Sequence, residues 1–215
     1  NMNGVEKLLE IAKKTDAVGL IGYCLRYDPA AKKFKELLSN EQTGQILHVQ
    51  VDCGSYLPDW RPNQDYRQSV SARKELGGGV LLELSHELDL MSWIFGPLSV
   101  CFGRAWSSGF FEMERDDLAV GVLETAAGGL IGFELNCHDR VQNRTFTVTT
   151  DSHFVRLDLI AGTVEVDGHE VFGDPVERDQ VFTDMHRSVL AGEQEACTVD
   201  EALAVLSLTE RLRGN

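Results

Sequence analysis

The sequence predicts an α+β fold built on a largely antiparallel sheet. Two observations carry this. From about residue 98 the chain runs through consecutive hairpin patterns, and those hairpins are flanked by helical segments and do not alternate with them. A length of 215 residues with 43% hydrophobic content allows one large domain or two small ones around a proper core.

Taken in order, residues 4–15 read as a helix with Val5, Leu8, Leu9 and Ala12 on one face and Ile11 at its edge. Residues 17–23 are a nearly continuous apolar run, the pattern of a strand covered on both faces. Asp28 is a suitable N-cap with Pro29 at the first helical position, so a helix is expected to about Leu38. A strand follows from Ile46 to Tyr56 after Gly44. Residues 57–76 break the pattern with two prolines and a Trp-, Arg- and Tyr-rich composition. Loops of that length are uncommon unless functional or mobile.

Next come Gly77, Gly78 and Gly79 and a helix that ends at Gly96-Pro97. Leu84, Leu88, Met91 and Phe95 form one apolar stripe on it, while Leu82, Leu90 and Trp93 share the other side with His86 and Asp89. A helix apolar on both sides is buried, and a buried imidazole and carboxylate need partners. The consecutive glycines leave room for another backbone or a ligand to approach.

In the second half, Leu118–Glu124 and Leu130–Cys137 flank Ala126-Ala127-Gly128-Gly129, and Val164–Val166 and Glu170–Phe172 flank Asp167-Gly168; both are hairpin signals. Thr145–Thr150 and Phe154–Leu159 are the strands between them. Helices over about 176–191 and 199–212, with Thr198 or Asp200 as cap, close the chain.

Composition excludes several functions. A net charge of −14 argues against nucleic acid, which needs clustered Lys and Arg. No run approaches the roughly 18 apolar residues of a membrane span, and nothing in these residues resembles a signal peptide, so a cytoplasmic protein is expected. Asn1 before Met2 reads as a tag remnant. Cys24, Cys53, Cys101, Cys137 and Cys197 are scattered, never C-x-x-C, and read as buried free thiols of a reducing compartment. No metal is expected: the other five histidines lack ligand spacing, and His86 with Asp89 would give only two ligands. There is no G-x-S-x-G, no P-loop and no G-x-G-x-x-G.

Chemistry is therefore sought at His86, which can give and take a proton near neutral pH. Asp89 one turn on would orient it and Glu83 one turn earlier would assist. The bland alternative is a buried histidine satisfied by a local bond to Asp89. Arg26, Trp60, Arg61, Tyr66, Arg67 and Lys74 form a second group, whose forks and rings suit polyhydroxylated or phosphorylated small molecules. The alternative is that they tie down the 57–76 loop through Asp59 and Asp65.

The order Gly22-Tyr23-x-x-Arg26-Tyr27-x-Pro29, Gly44-Gln-Ile, Trp60-Arg61, Gly77-Gly-Gly-Val-Leu-Leu-Glu83-x-x-His86-x-x-Asp89-x-x-x-Trp93-x-x-Gly96 resembles the Gfo/Idh/MocA oxidoreductases, the family of glucose–fructose oxidoreductase and inositol dehydrogenase. The resemblance is specific over residues 77–96 and weak in the β-rich half. It implies an N-terminal Rossmann domain binding NAD or NADP, followed by an α+β domain with an open sheet and helices on one face, like the C-terminal domain of dihydrodipicolinate reductase. Residues 1–23 would then be the last helix and strand of the Rossmann domain, and residues 24–215 the substrate, catalytic and oligomerisation domain.

The resemblance also implies proton transfer by His86 and cofactor contacts at Tyr23, Gly78 and Gly79. The family's aspartate four residues before the histidine is Leu82 here, so either Glu83 takes its role or the role is missing. The glycine fingerprint and Glu-Lys-Pro of the Rossmann half are absent, so this chain alone is expected to be inactive and to bind no cofactor. The expected function is oxidation of a hydroxyl, or reduction of a ketone, on a sugar, cyclitol or nucleotide-sugar. The loop over residues 57–67 looks like the branch acting on surface-polysaccharide sugars. The rival readings are a homo-oligomerisation module and a sugar-binding protein.

Overall fold

The computed structural model describes residues 4–15, 18–174, 176–192 and 195–214. In chain order the elements are α1 (Val5–Thr15), β1 (Leu20–Ile21), α2 (Pro29–Leu38), β2 (Ile46–Gly54), α3 (Val80–Glu83), α4 (Ser85–Phe95), β3 (Leu98–Trp106), β4 (Leu118–Thr125), β5 (Leu130–Asn136), β6 (Asn143–Thr150), β7 (Phe154–Asp158), β8 (Thr163–Val166), β9 (His169–Gly173), α5 (Arg178–Ala191), β10 (Cys197–Thr198) and α6 (Val199–Gly214). The tag reading of Asn1-Met2 lies outside the described residues.

Eight strands form one open sheet in the order β3-β4-β5-β2-β6-β7-β8-β9, antiparallel throughout except for β2 beside β5. Strand alternation sends one side of each strand inward. One inner row runs Gly103, Gly121, Phe133, Val51, Phe146, Leu157, Val164 across seven strands. Phe34 of α2, Leu88 and Met91 of α4, and Leu208 and Leu212 of α6 complete the core with them. The two glycines in this row have a packing reason. A Cβ at Gly103 would lie 2.5 Å from Leu212, and one at Gly121 would lie 2.8 Å from the Phe133 ring. The other face stays uncovered and carries Gln50, Asp52, Glu134, Thr147 and Arg156.

The Asp167-Gly168 hairpin forms as its sequence requires, with φ of 51° and 78° at the two turn residues. Asp28 caps α2 by accepting from the Ala31 N–H at 3.0 Å. At α6, Thr198 and Glu201 make a reciprocal capping box: the Thr198 N–H donates to Glu201 Oε2 at 2.8 Å and the Glu201 N–H to Thr198 Oγ1 at 3.3 Å.

Three expectations are corrected. The apolar run 17–23 is not a strand covered on both faces: among its described residues only Leu20 and Ile21 pair, with Thr198 and Cys197, and Val18 is 83% exposed. The glycine-led helix is two helices, broken at Leu84 (φ −102°, ψ 26°). Gly79 has no side chain to cap the first of them, so Asp116 does it from a distance, its carbonyl accepting from the Val80 N–H and its carboxylate from the Leu81 N–H. The cysteines are not all buried, since Cys101 on the uncovered face is exposed.

One buried charge cluster ties three elements together. Arg26, in the 3-10 turn after β1, donates to both Asp89 oxygens of α4 at 2.7 and 3.0 Å, and to Glu201 of α6 at 3.3 Å. Burial pulls the Arg26 guanidinium down, but the bonded Asp89 carboxylate more than offsets this and holds it charged. Removing one partner of such a pair leaves a charge stranded in the interior. Arg26→Met is therefore expected to lower unfolding free energy by about 3–5 kcal/mol in urea at neutral pH, and Arg26→Met with Asp89→Leu to recover most of that loss.

Candidate active site

His86 is the second residue of α4, half-buried, with the Tyr23 ring edge-on to it at 5.3 Å between centroids. Its Nδ1 is buried without a hydrogen-bond partner among the described residues. Burial pushes the imidazole below its ordinary pKa and Arg144 adds to that, while Glu87 and Asp89 oppose it. The ring is thus neutral near pH 7, able to accept a proton and, once charged, to return it.

A cleft of about 430 Å³ opens beside it. Glu83 and Leu84 come from the break between α3 and α4, Ser55 from the end of β2, Trp60 and Arg61 from the long loop, and Gln142, Asn143 and Arg144 from the start of β6. The Trp60 indole N–H donates to Ser55 Oγ at 2.7 Å, which fixes the ring in the wall. A second cleft, of about 380 Å³, shares His86, Gln142 and Arg144 and is lined by Leu25, Leu159, Val176, Val181 and Phe182. His86 stands where a mostly polar cleft meets a half-apolar one.

Beneath His86 lies a pair that the sequence reading missed. Glu87 is fully buried and its Oε1 accepts from Arg144 Nε. Burial lowers the Arg144 pKa, but the Glu87 carboxylate reverses this and keeps the guanidinium charged. Both residues carried a signal. Glu87 falls three after Leu84 and four before Met91, on the apolar stripe itself, and Arg144 alternates with Phe146 and Val148 on the inward side of β6. A charge at an apolar position implies a buried partner.

The sequence candidates divide. His86, Glu83, Trp60 and Arg61 come together in the cleft, and Tyr23 packs on His86. Asp89 does not orient His86; both of its oxygens face Arg26. Arg26 itself is 2% exposed and engaged with Asp89 and Glu201, so it is not available to a substrate. Arg67 is held by Asp65 and Glu112, as the loop-tying alternative expected for Asp65. Tyr66 packs against Phe111 at 5.7 Å and its oxygen accepts from the Glu112 N–H.

Lys74 lines a separate cavity with Gly77, Gly78, Arg115 and Arg213. The glycines serve close approach within the chain. A Cβ at Gly78 would sit 2.5 Å from the Val70 carbonyl oxygen, and one at Gly79 (φ +108°) would sit 2.6 Å from the Arg213 guanidinium. At both positions a side chain is excluded by the chain's own atoms.

Because the folded-state pKa of His86 lies below the unfolded value near 6.5, the neutral ring contributes stability above that pH, and the contribution is lost as pH falls toward the folded value. An NMR titration of the His86 ring is expected to show a midpoint below 6.5. Between pH 7 and 5 the wild type should lose more unfolding free energy than His86→Asn; a parallel decline in both would refute the assignment.

Residues 31–154, more than half of the chain, match the GFO/IDH/MocA C-terminal domain. An uncharacterized oxidoreductase of Synechocystis sp. is 32% identical over 92 residues, which are 42% of this chain and 24% of that protein. Among solved structures, an oxidoreductase of Thermotoga maritima superposes with a TM-score of 0.80 at 18% identity, over 99% of this chain and 64% of that one. The WlbA dehydrogenase of Bordetella pertussis, in complex with NADH and UDP-GlcNAcA, gives 0.73 at 17%, over 99% and 66%. The chain spans less than two thirds of the length of each of these relatives. With the glycine-led helix, the open antiparallel sheet and the matched segment in agreement, this chain belongs to the GFO/IDH/MocA oxidoreductase family, whose C-terminal domain it contains.

Proposed function

We propose that the chain is the substrate-holding and proton-transferring part of an NAD(P)-dependent oxidoreductase acting on a hydroxyl or ketone of a sugar, cyclitol or nucleotide-sugar. The observation that carries this is His86: neutral, half-buried, and standing where the two clefts meet. It takes the hydroxyl proton as the alcohol becomes a ketone and returns it in the reverse direction. Glu83, in the same wall, accepts from neighbouring hydroxyls, and Trp60 offers the sugar an apolar face.

A nicotinamide nucleotide, when bound, supplies the hydride exchange. The residues present fit only its reactive end, because the unpartnered His86 Nδ1 and the Tyr23 ring lie together while no glycine fingerprint for a pyrophosphate exists in the sequence. Residues 1–23 would be the last helix and strand of a nucleotide-binding domain, the rest of which would cover the exposed apolar side chains near β1, such as Val18 and Ile21. The work would be done in the cytoplasm.

In the protein carrying that domain, His86→Asn is expected to cut turnover by about 10²–10⁴-fold with an unchanged thermal midpoint. An unaltered rate would remove His86 from this role. Residues 1–215 alone should show no NAD(P)-dependent turnover.

A role in self-association also has a specific observation behind it. On the uncovered sheet face, Phe102 (64% exposed) and Leu130 (48% exposed) flank half-buried Val120 and Val122, an apolar strip on β3–β5 separated by β2 from the polar threonines of β6. Light scattering is expected to give a homo-oligomer that Phe102→Asp dissociates; a monomeric wild type would dismiss this role.

A further inference from the structure

Two guanidinium groups in the cleft keep free donors: Arg144, paired with Glu87 through Nε alone, and Arg61, which is exposed and has no carboxylate partner among the described residues. Arg144 uses only Nε on Glu87, and its Nη1 and Nη2 make no hydrogen bond among the described residues, although three quarters of the side chain is out of solvent (24% exposed). Arg61, in the same lining, makes no side-chain hydrogen bond or ion pair among the described residues. Other arginines of this acidic chain use their forks inside the molecule: Arg67 takes Asp65 and Glu112, Arg73 takes Glu75, Arg213 takes Asp116, and Arg104 and Arg140 lie over the rings of Trp106 and Tyr56. An open guanidinium fork in a partly dry site matches the planar acceptor edge of a carboxylate or phosphate, and pairs with it far more strongly than with a hydroxyl.

Glu83 is the acid in the lining of this cleft; Glu87 lies beneath it, Asp28 lines the adjoining cleft with Arg144, and Asp139 sits against Gly54. Glu87 is engaged under Arg144, while Glu83 has no cation partner among the described residues and can only accept. The lining thus offers a carboxylate acceptor for hydroxyls and two donor forks for an anion. Asn143 and Gln142 add amide donors and acceptors to the same lining.

We propose that the substrate held beside His86 is an anionic sugar, its carboxylate or phosphate clasped by Arg144 and Arg61 while its hydroxyls meet Glu83. This rests on the sugar-binding reading of the same cleft. The test titrates the chain with D-glucuronate, D-glucose 6-phosphate and neutral D-glucose at low salt, following the His86 ring by NMR and affinity by calorimetry.

At least one of the acids is expected to bind about ten-fold or more tightly than glucose, and which of them does separates carboxylate from phosphate. Arg61→Gln, which removes no internal contact, should abolish most of that advantage. Arg144→Gln with Glu87→Gln should do the same without stranding a buried charge. Equal binding of all three with a shifted His86 signal overturns the anion assignment and leaves the sugar cleft standing. Tighter acid binding that both variants retain also overturns it. No response from any of the three overturns the cleft reading and the anion assignment together.

Discussion

The structure depends on two carboxylates of α4 that are fully withdrawn from water. Glu87 and Asp89 lie two residues apart, so at about 100° per residue they leave the helix on nearly opposite sides. Each is met by an arginine from a distant part of the chain, Arg144 at the start of β6 and Arg26 after β1. An unpaired buried carboxylate is costly enough that the helix cannot rotate without losing one pair or both. His86 lies on the arc between them, so its direction is set by these pairs. Its protonation state follows from the same burial.

This changes what the conspicuous residues of the chain are for. The three glycines ahead of α3 have the look of a ligand cradle, yet at Gly78 and Gly79 the place a Cβ would take is filled by the Val70–Arg73 carbonyls and by Asp116 with Arg213. They let a long loop fold back on the start of a helix that has no cap of its own. The same loop sorts its charged and aromatic residues sharply: Tyr66 and Arg67 hold it in shape, while Trp60 and Arg61 reach the cleft.

The cleft has two characters because two layers meet there. Strand ends and loops supply the polar part, with backbone and side-chain donors near Ser55 and Asn143. The N-terminal half of α5 and the turn after β7 supply an apolar wall through Val181, Phe182 and Leu159. The half-apolar side lies against the turn that follows β1, while the polar side lies against the long loop. A proton-transfer group between them can serve a reaction that has a hydrophilic substrate on one side and a flat, partly apolar partner on the other.

Local sequence determined much of the fold. Hairpins form where Asp167-Gly168 and Gly128-Gly129 permit them, helices begin where Asp28 and Thr198 cap them, and alternation decides which side of each strand is dry, because these signals act within a few residues of their effect. His86 was legible too, since an imidazole on a helix apolar on both sides must be buried. What tertiary structure alone decided is partnership. Asp89 has His86 one turn away in sequence but binds Arg26, sixty-three residues distant, because a bidentate guanidinium neutralises a buried carboxylate and a neutral imidazole does not. Glu87 and Arg144 each betrayed burial by occupying an apolar position, yet neither position names its partner; only the packing of α4 on the sheet brings them within reach.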